Sequence, residues 1–343
     1  MTGIADELEP TDATQFASYR AKRIPDPGVV RGGVVSVAIP YRAGVPYAYC
    51  YLIADEAGRV HVIDPGSDTD ENRVILDRAL RTLGASTETV ASVTATHLHQ
   101  DHSGLADWLA TRSGVPVAMH RADIDDLVSG SAEARYSDDT SAMAERWTVP
   151  AAERHRLPLT IPVRPVGHPQ SVAVLVDGDL LPVDGRRIEV VHTPGHTRGH
   201  VCLVLPDDGL ILTGDHVFPR ANPGIARGGY RVGDDPVAEY LDSLERLHPY
   251  DGFEVAPGHG YRFRGLALRR RQIREHVLTR AREVERALAH HPGDDVWSIA
   301  SELTWMGGSL DLLEGNSLQS ALVQTECYVT YVEGARGRLA LGA

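Results

Sequence analysis

Four side chains able to bind a metal stand within six residues, in His97-Leu98-His99-Gln100-Asp101-His102. They follow the run VASVTATH, whose β-branched residues predict a buried strand, so the cluster is delivered to that strand's C-terminal edge. Alternate residues of an extended segment point the same way. His97 and His99 can therefore face one metal, while the turn that follows can swing Asp101 and His102 toward a second. The competing explanation, a polar turn with surface histidines, needs four costly side chains to crowd together by chance. Three more ligand-capable residues stand beside glycine at the ends of apolar, strand-like runs: His196 in TPGHT, Asp215 in LTGDH and His259 in APGHG. Glycine and proline set tight turns that hold a side chain at a strand edge. Alone, each would read as a turn histidine or a capping aspartate; as a set they point to one rim.

The elements that must position these residues are legible as patterns. The first residues, 1–28, carry no clear period and read as an N-terminal arm. From Val29 the runs VVSVAIP, AYCYLIA and VHVIDPG predict antiparallel strands separated by turn signals such as Glu56 to Arg59. ENRVILDRALRTLG has helical spacing and stops at Gly84; SGLADWLATRSG reads as a helix with a serine cap and a glycine stop, and VPVAMH as the next strand. Residues 121–164 are polar and helix-like and read as an insertion, either a lid over the site or a surface elaboration. Strands resume in VAVLVDGDLLPVDGRRIEVVHTPGHT, VCLVLPDDGLILTGDHV and FEVAPGHG, with the helix DPVAEYLDSLERL before the last. Strand-rich stretches alternating with single helices predict an α/β sandwich over 29–262. Residues 263–343 read as a helical appendage: a long arginine-rich helix, two shorter helical segments and an ending, TYVEGARGRLAL, with the character of a small hairpin.

Composition narrows the class. A hydrophobic fraction of 42% and a charged fraction of 24% are ordinary for a globular protein, and no apolar run approaches the roughly 18 residues of a membrane span. The acidic start MTGIADELEPTDATQF lacks the pattern of a secretory signal, so a cytoplasmic location is expected. Cys50, Cys202 and Cys327 are far apart, form no CxxC pair and are expected as reduced core residues. A net charge of −13 disfavours attraction to nucleic acid or an anionic membrane and favours a small-molecule substrate, with a homodimer left open.

HLHQDH, TPGHT, TGDH and PGHG, in this order and with Asp64 in VIDPG ahead of them, resemble the metallo-β-lactamase superfamily over about residues 30 to 260. The resemblance implies an αββα four-layer sandwich, with His97, His99 and His196 on one metal, Asp101, His102 and His259 on the other, and Asp215 bridging. Imidazoles and carboxylates without a thiolate suit two zinc ions, with iron or manganese as alternatives. Two cations sharing a water would lower its pKa from near 16 to roughly neutral, so no serine or cysteine nucleophile is needed. Asp101 joins the catalytic set as well as the ligands. Asp64 is expected either to orient a ligand from behind or to be a plain turn aspartate, and His200 either to line the rim, to back a ligand or to make a structural hydrogen bond. His216 stays outside the ligand set; His61, His120, His192, His248, His276, His290 and His291 are assigned to structure or surface.

Departures from particular branches narrow the reaction. His99 stands where the flavin-linked oxygen-reducing branch carries glutamate, and the stretch from Asp215 to His259 is too short for the large insertion of the RNA-processing branch. An exported β-lactamase would not use an aspartate like Asp215 as its bridge. The glyoxalase-II-like group remains, and it implies hydrolysis of a small-molecule acyl ester, thioester or lactone. From about Leu266 the tail resembles the winged-helix-like region of a hydrolase subgroup that includes a ribonuclease. The alternative is therefore a nucleic-acid phosphodiesterase using Arg262, Arg264, Arg269, Arg270, Arg271 and Arg274, although Glu275, Glu283 and Glu285 interrupt that basic face. A third reading is a mononuclear iron persulfide dioxygenase that fills only the first site. Phe218, Arg227 and Tyr230, with Met143 and Trp147 in the insertion, are candidates for shaping substrate choice, local core being the other role open to them.

Overall fold

Two sheets satisfy the alternation in the short apolar runs. The computed structural model describes residues 8–41, 45–129, 140–158, 171–290, 295–305 and 308–334. From the N-terminus, β1 (Glu9–Pro10), α1 (Ala13–Arg20) and β2 (Gly28–Val29) lead into β3 (Val34–Pro40), β4 (Tyr47–Ala54) and β5 (Val60–Ile63). Helix α2 (Asp70–Thr82) precedes β6 (Val90–Thr94), and α3 (Gln100–Ser103) with α4 (Ala106–Ser113) precedes β7 (Val117–His120). Helices α5 (Arg121–Ser129) and α6 (Thr140–Arg146) come before β8 (Val172–Leu175). Strands β2 to β8 form one sheet in sequence order, antiparallel up to β5 and parallel from β5 onward.

The second sheet uses β9 (Glu189–His192), β10 (Val201–Leu205), β11 (Leu210–Gly214), β12 (Glu254–Pro257) and β13 (Phe263–Arg264), in the order β1-β13-β12-β11-β10-β9. Helix α7 (Pro236–Arg246) stands between β11 and β12; α8 (Leu266–His290), α9 (Val296–Glu302) and α10 (Gly315–Glu333) follow β13.

Successive strand residues face opposite sides, which explains the near-continuous apolar runs of strands buried on both faces. In β4, Tyr47, Tyr49, Tyr51 and Ile53 turn inward to meet Val201, Leu203, Leu205 and Leu212 of the other sheet, while Cys50 and Leu52 turn outward onto Leu76 and Leu80 of α2 and Leu109 of α4. In β10, Cys202 and Val204 face outward toward Leu244 of α7 and Ile273 and Val277 of α8. The layers are therefore helices, sheet, sheet, helices, the αββα order implied by the resemblance. Hydroxyls of Tyr47 and Tyr49 donate to Gly260 O at 2.9 and 3.2 Å, and that of Tyr51 to Pro257 O at 2.7 Å. One strand of the first sheet thus fixes the loop at the end of β12.

Four local expectations change. The arm is not featureless: Asp12 caps α1 by accepting from the backbone N–H of Thr14 and Gln15, and β1 pairs with β13. Helix α4 has no serine cap, because the Ser103 hydroxyl donates to Leu98 O and His99 O instead. Helix α10 takes in Thr330–Glu333, the start of the expected hairpin, whose remainder lies outside the described residues. In the insertion, Met143 and Trp147 are fully buried among the helices of the outer layer, so this part is core, whereas 130–139 and 159–164 lie outside the described residues.

Candidate metal centre

Four strand ends and one turn converge at a single edge of the sandwich. Asp64 follows β5, and its N–H still donates to Thr94 O of β6 at 2.9 Å. The segment after β6 carries His97 and His99 and enters α3 with Asp101 and His102. His196 lies in the turn between β9 and β10, Asp215 directly after β11, and His259 two residues after β12. His97, His102, His196, Asp101 and Asp215 are buried; His99 and His259 are half-buried.

Hydrogen bonds assign the protons on the rings. A carbonyl oxygen only accepts, so each ring nitrogen that meets one must carry the hydrogen. His196 Nδ1 donates to Gly224 O at 2.6 Å, His99 Nε2 to Arg227 O at 2.9 Å, and His259 Nδ1 to Tyr47 O at 2.6 Å. His102 Nδ1 faces Asp64 Oδ2 at 2.9 Å. The Thr96 hydroxyl spends its hydrogen on Asp64 Oδ2 at 2.8 Å, so it accepts from His97 Nδ1 at 3.1 Å. Every ring therefore turns its other nitrogen, the one able to take a proton or a cation, toward the others.

Those inner nitrogens fall into two groups. His97 Nε2 lies 2.9 Å and His196 Nε2 3.0 Å from His99 Nδ1. His102 Nε2 lies 3.4 Å from His259 Nε2, which is 3.3 Å from Asp101 Oδ2. Asp215 stands between them, with Oδ1 at 3.1 Å from His102 Nε2 and 3.2 Å from His259 Nε2, and Oδ2 at 3.6 Å from His196 Nε2. Its Oδ1 is buried and lacks a hydrogen bond. Lone pairs aimed at one another beside such a carboxylate are unfavourable until cations fill the gaps, so the donor set fits divalent metals. One ligand atom from each of His97, His99, His196 and Asp215 lies within 4.8 Å of the others, and the same holds for Asp101, His102 and His259.

Electrostatics separate the two groups. Burial, then repulsion from His102 and His99, holds the His97 pKa well below the usual histidine value, and burial with His99 pushes His196 down to about 3. These imidazoles are neutral. At His259 burial opposes charge, but the Asp215 and Asp101 carboxylates outweigh it and raise the pKa to about 9; His102 is raised for the same reason by Asp215, Asp101 and Asp64. The second group thus binds protons where no cation is present, and metal and proton compete for it.

The remaining expected residues are placed as follows. Asp64 accepts from Thr96 N–H at 2.7 Å, the Thr96 hydroxyl and His102 Nδ1, so it stands behind the centre as an orienting acceptor. His200 is fully buried; its Nε2 accepts the Asp215 N–H at 3.0 Å while Nδ1 meets the Thr193 hydroxyl at 2.8 Å, so it backs Asp215 and does not line the rim. His216 packs on Tyr240 at 4.5 Å between centroids. Phe218 touches the edge of His259 at 5.3 Å, and Arg227 is exposed beside His99, with Nη1 on Ser320 Oγ at 2.9 Å. Tyr230 is buried and donates to Glu239 at 2.8 Å, so it belongs to the core.

Asp123 was not singled out from sequence. Fully buried on α5, it accepts from Gly199 N–H at 2.6 Å, Leu98 N–H at 2.9 Å and the Thr197 hydroxyl at 2.9 Å. Burial raises its pKa to about 7 against the pull of these donors. The carbonyls of Gly224, Arg227 and Tyr47 left no sequence signal, because every residue carries one.

Comparison with known proteins agrees with this fold. The model of the family described as the metallo-beta-lactamase superfamily matches residues 43–259. An uncharacterized protein of Mycobacterium leprae (strain TN) is 30% identical over 227 residues, 64% of this chain and 89% of that protein. A hydroxyacylglutathione hydrolase of Maricaulis maris (strain MCS10) is 28% identical over 200 residues, 58% of this chain and 56% of that protein. The crystal structure of a beta-lactamase domain protein from Burkholderia ambifaria shares the fold at a TM-score of 0.72 and 23% identity, covering 98% of this chain and 95% of that one.

Proposed function

The chain belongs to the metallo-beta-lactamase superfamily, and from that premise we propose that it is a two-metal hydrolase of small-molecule acyl esters, thioesters or lactones. His97, His99 and His196 would hold one zinc ion, Asp101, His102 and His259 the other, and Asp215 would bridge them. One observation carries this reading: five imidazoles are fixed by oxygens behind them so that their inner nitrogens converge on the two oxygens of one buried aspartate. A pair of divalent cations held there supplies a water nucleophile near neutral pH and polarises a carbonyl oxygen.

The chain's own residues do the rest. Asp64 and Thr96 fix the tautomers of His102 and His97, the carbonyls of Gly224 and Arg227 fix those of His196 and His99, and His200 fixes the backbone at Asp215. Half-buried His99 and His259 mark the side open to substrate, where Phe218 offers an apolar surface and Arg227 a cation. The hydroxyacylglutathione hydrolase among the relatives supports an acyl substrate. Three free, buried cysteines fit a reducing, cytoplasmic setting.

Of the six arginines that would serve a phosphodiesterase, Arg271 is exposed and Arg264 half-buried, and the other four are engaged within the protein. Arg262, Arg269 and Arg270 are buried on internal partners, and Arg274 lies against Glu245 at 3.7 Å. The test is metal quantification on purified protein with a panel of thioester, lactone and phosphodiester substrates. Two zinc ions per chain, turnover of the acyl compounds, loss on chelation and recovery with zinc are expected. Chelator-insensitive turnover would overturn the reading, and a single iron per chain would favour the persulfide dioxygenase.

A further inference from the structure

Helix α5 begins immediately after β7 and presents two stripes. Ile124 and Leu127, three residues apart, pack with Ala95, Leu98 and Met119 in a small apolar cluster of their own. Asp123 and Asp126, also three apart, face the turn between β9 and β10. Asp126 Oδ1 accepts from Arg198 Nη1 at 3.1 Å, while Asp123 reaches Thr197 and Gly199 on that turn and Leu98 on the segment after β6.

The two chain segments that Asp123 joins are those carrying His97, His99 and His196. Leu98 lies between the two histidines of the first segment, and Thr197 follows His196. No strand pairing holds these segments to each other at this point; the nearest ladder contact is Val201 N–H to Thr96 O at 2.9 Å. The fit is close enough to dictate a residue type. A Cβ on Gly199 would lie 2.5 Å from the Asp123 backbone nitrogen and 2.7 Å from its Cγ. The three partners of Asp123 are two N–H groups and a hydroxyl, while the nearby Arg198 is engaged by Asp126. A buried carboxylate is tolerated when donors fill its acceptors, and all three of these donors come from the two segments that carry His97, His99 and His196.

We propose that Asp123 is a positioning residue for the first metal half-site: it locks the His97–His99 segment and the His196 turn in register, so that the helix α5 of the insertion sets the geometry of three ligands without touching any of them. This rests on the reading that His97, His99 and His196 hold a metal. Asp123→Asn keeps the shape and an acceptor for Leu98 and Thr197, but turns an NH2 group against the Gly199 N–H. Thr197→Val removes one hydroxyl from the other side of the clamp at nearly constant volume, and it serves if the first variant folds poorly.

The experiment loads wild type and both variants with zinc, then follows retention against a competing chelator together with peptide-level hydrogen exchange. Wild type is expected to retain two zinc ions. Each variant is expected to hold one of them about 10–100-fold more weakly, as for loss of other groups that orient ligands from behind. Faster exchange should be confined to peptides spanning 96–99 and 196–200, with those spanning 257–260 unchanged. Equal weakening of both ions, exchange spread over the whole sandwich, or no change at all would overturn the proposal. Failure of wild type to bind zinc would instead overturn the functional reading, and the wild-type arm reports it separately.

Discussion

At Asp64 the backbone takes a left-handed conformation, φ 52°, that a non-glycine residue adopts at a cost of roughly 1–2 kcal/mol. The return is a carboxylate that meets Thr96 N–H, the Thr96 hydroxyl and His102 Nδ1 at once. Glycine would relieve the strain and lose all three hydrogen bonds. Asp64→Asn tests the same point with less disturbance, since an amide cannot accept at both of its ends. It is expected to weaken zinc binding about 10–100-fold while the protein stays folded. Chelator competition and circular dichroism measure the two, and unchanged affinity would reduce Asp64 to a turn residue. At this scale the seven candidate ligands were legible because imidazole and carboxylate groups are rare in such density beside glycine. The acceptors behind them were not, since Gly224, Arg227 and Tyr47 act through carbonyls that side-chain identity does not encode. His200 lay in between: its type was visible, and its direction depended on Thr193 and the Asp215 amide.

Elements show the same division. The arginines of α8 looked like a basic face because Arg is rarely buried, yet Arg269 is only 4% exposed. Its Nε donates to Phe218 O at 2.6 Å and its Nη2 to Ala221 O at 2.5 Å and Asn222 Oδ1 at 3.0 Å. The appendage thereby holds the loop that supplies Gly224 O and Arg227 O to the histidines, a tertiary relation that no period in α8 reveals. A second case joins the sheets: His120 at the end of β7 stacks on His192 at the end of β9, centroids 3.9 Å apart at 12°. Burial first, then the neighbouring His192, lowers the His120 pKa to about 4. The folded value lies below that of an unfolded chain, near 6.5, so the folded state binds fewer protons between the two. The contribution is complete above pH 6.5 and is lost as pH falls toward 4. His120→Phe retains an aromatic stack that cannot protonate. Its melting temperature should therefore fall less than that of wild type between pH 6.5 and 4.5, both proteins being held metal-free by chelator; parallel profiles would show that the stack carries no titration.

For the whole molecule, the αββα order was legible because strands buried on both faces write themselves as unbroken apolar runs, while α2 and α7 carry one polar face each. The reach of the N-terminal arm was not, because its contacts with Arg262 join residues 247 and 250 positions apart in sequence. Asp12 accepts from Arg262 Nη2 at 2.6 Å, and Gln15 receives Arg262 N–H at 3.1 Å and donates to Ser36 Oγ at 3.0 Å. Phe16 and Tyr19 cover Tyr261 with ring centroids at 4.9 and 5.2 Å. A chain beginning at Lys22 loses this cover, worth about 1–2 kcal/mol for each partly buried ring. Glu254 remains on Arg262 Nη1 at 2.8 Å, so the guanidinium keeps one counter-charge and forfeits about 1–3 kcal/mol with Asp12. At roughly 1.4 °C per kcal/mol, from about 2.1 cal/mol/K of unfolding entropy per residue over a chain of this length, the melting temperature should fall by about 4–10 °C. The loosened segment, Tyr261 and Arg262, directly follows the loop that carries His259, so zinc retention in the second group should decline with it while His97, His99 and His196 keep theirs. Differential scanning calorimetry and zinc counts on the truncated chain measure both effects. A melting temperature within about 2 °C of the full chain would mean that the arm lies on the sandwich without holding it.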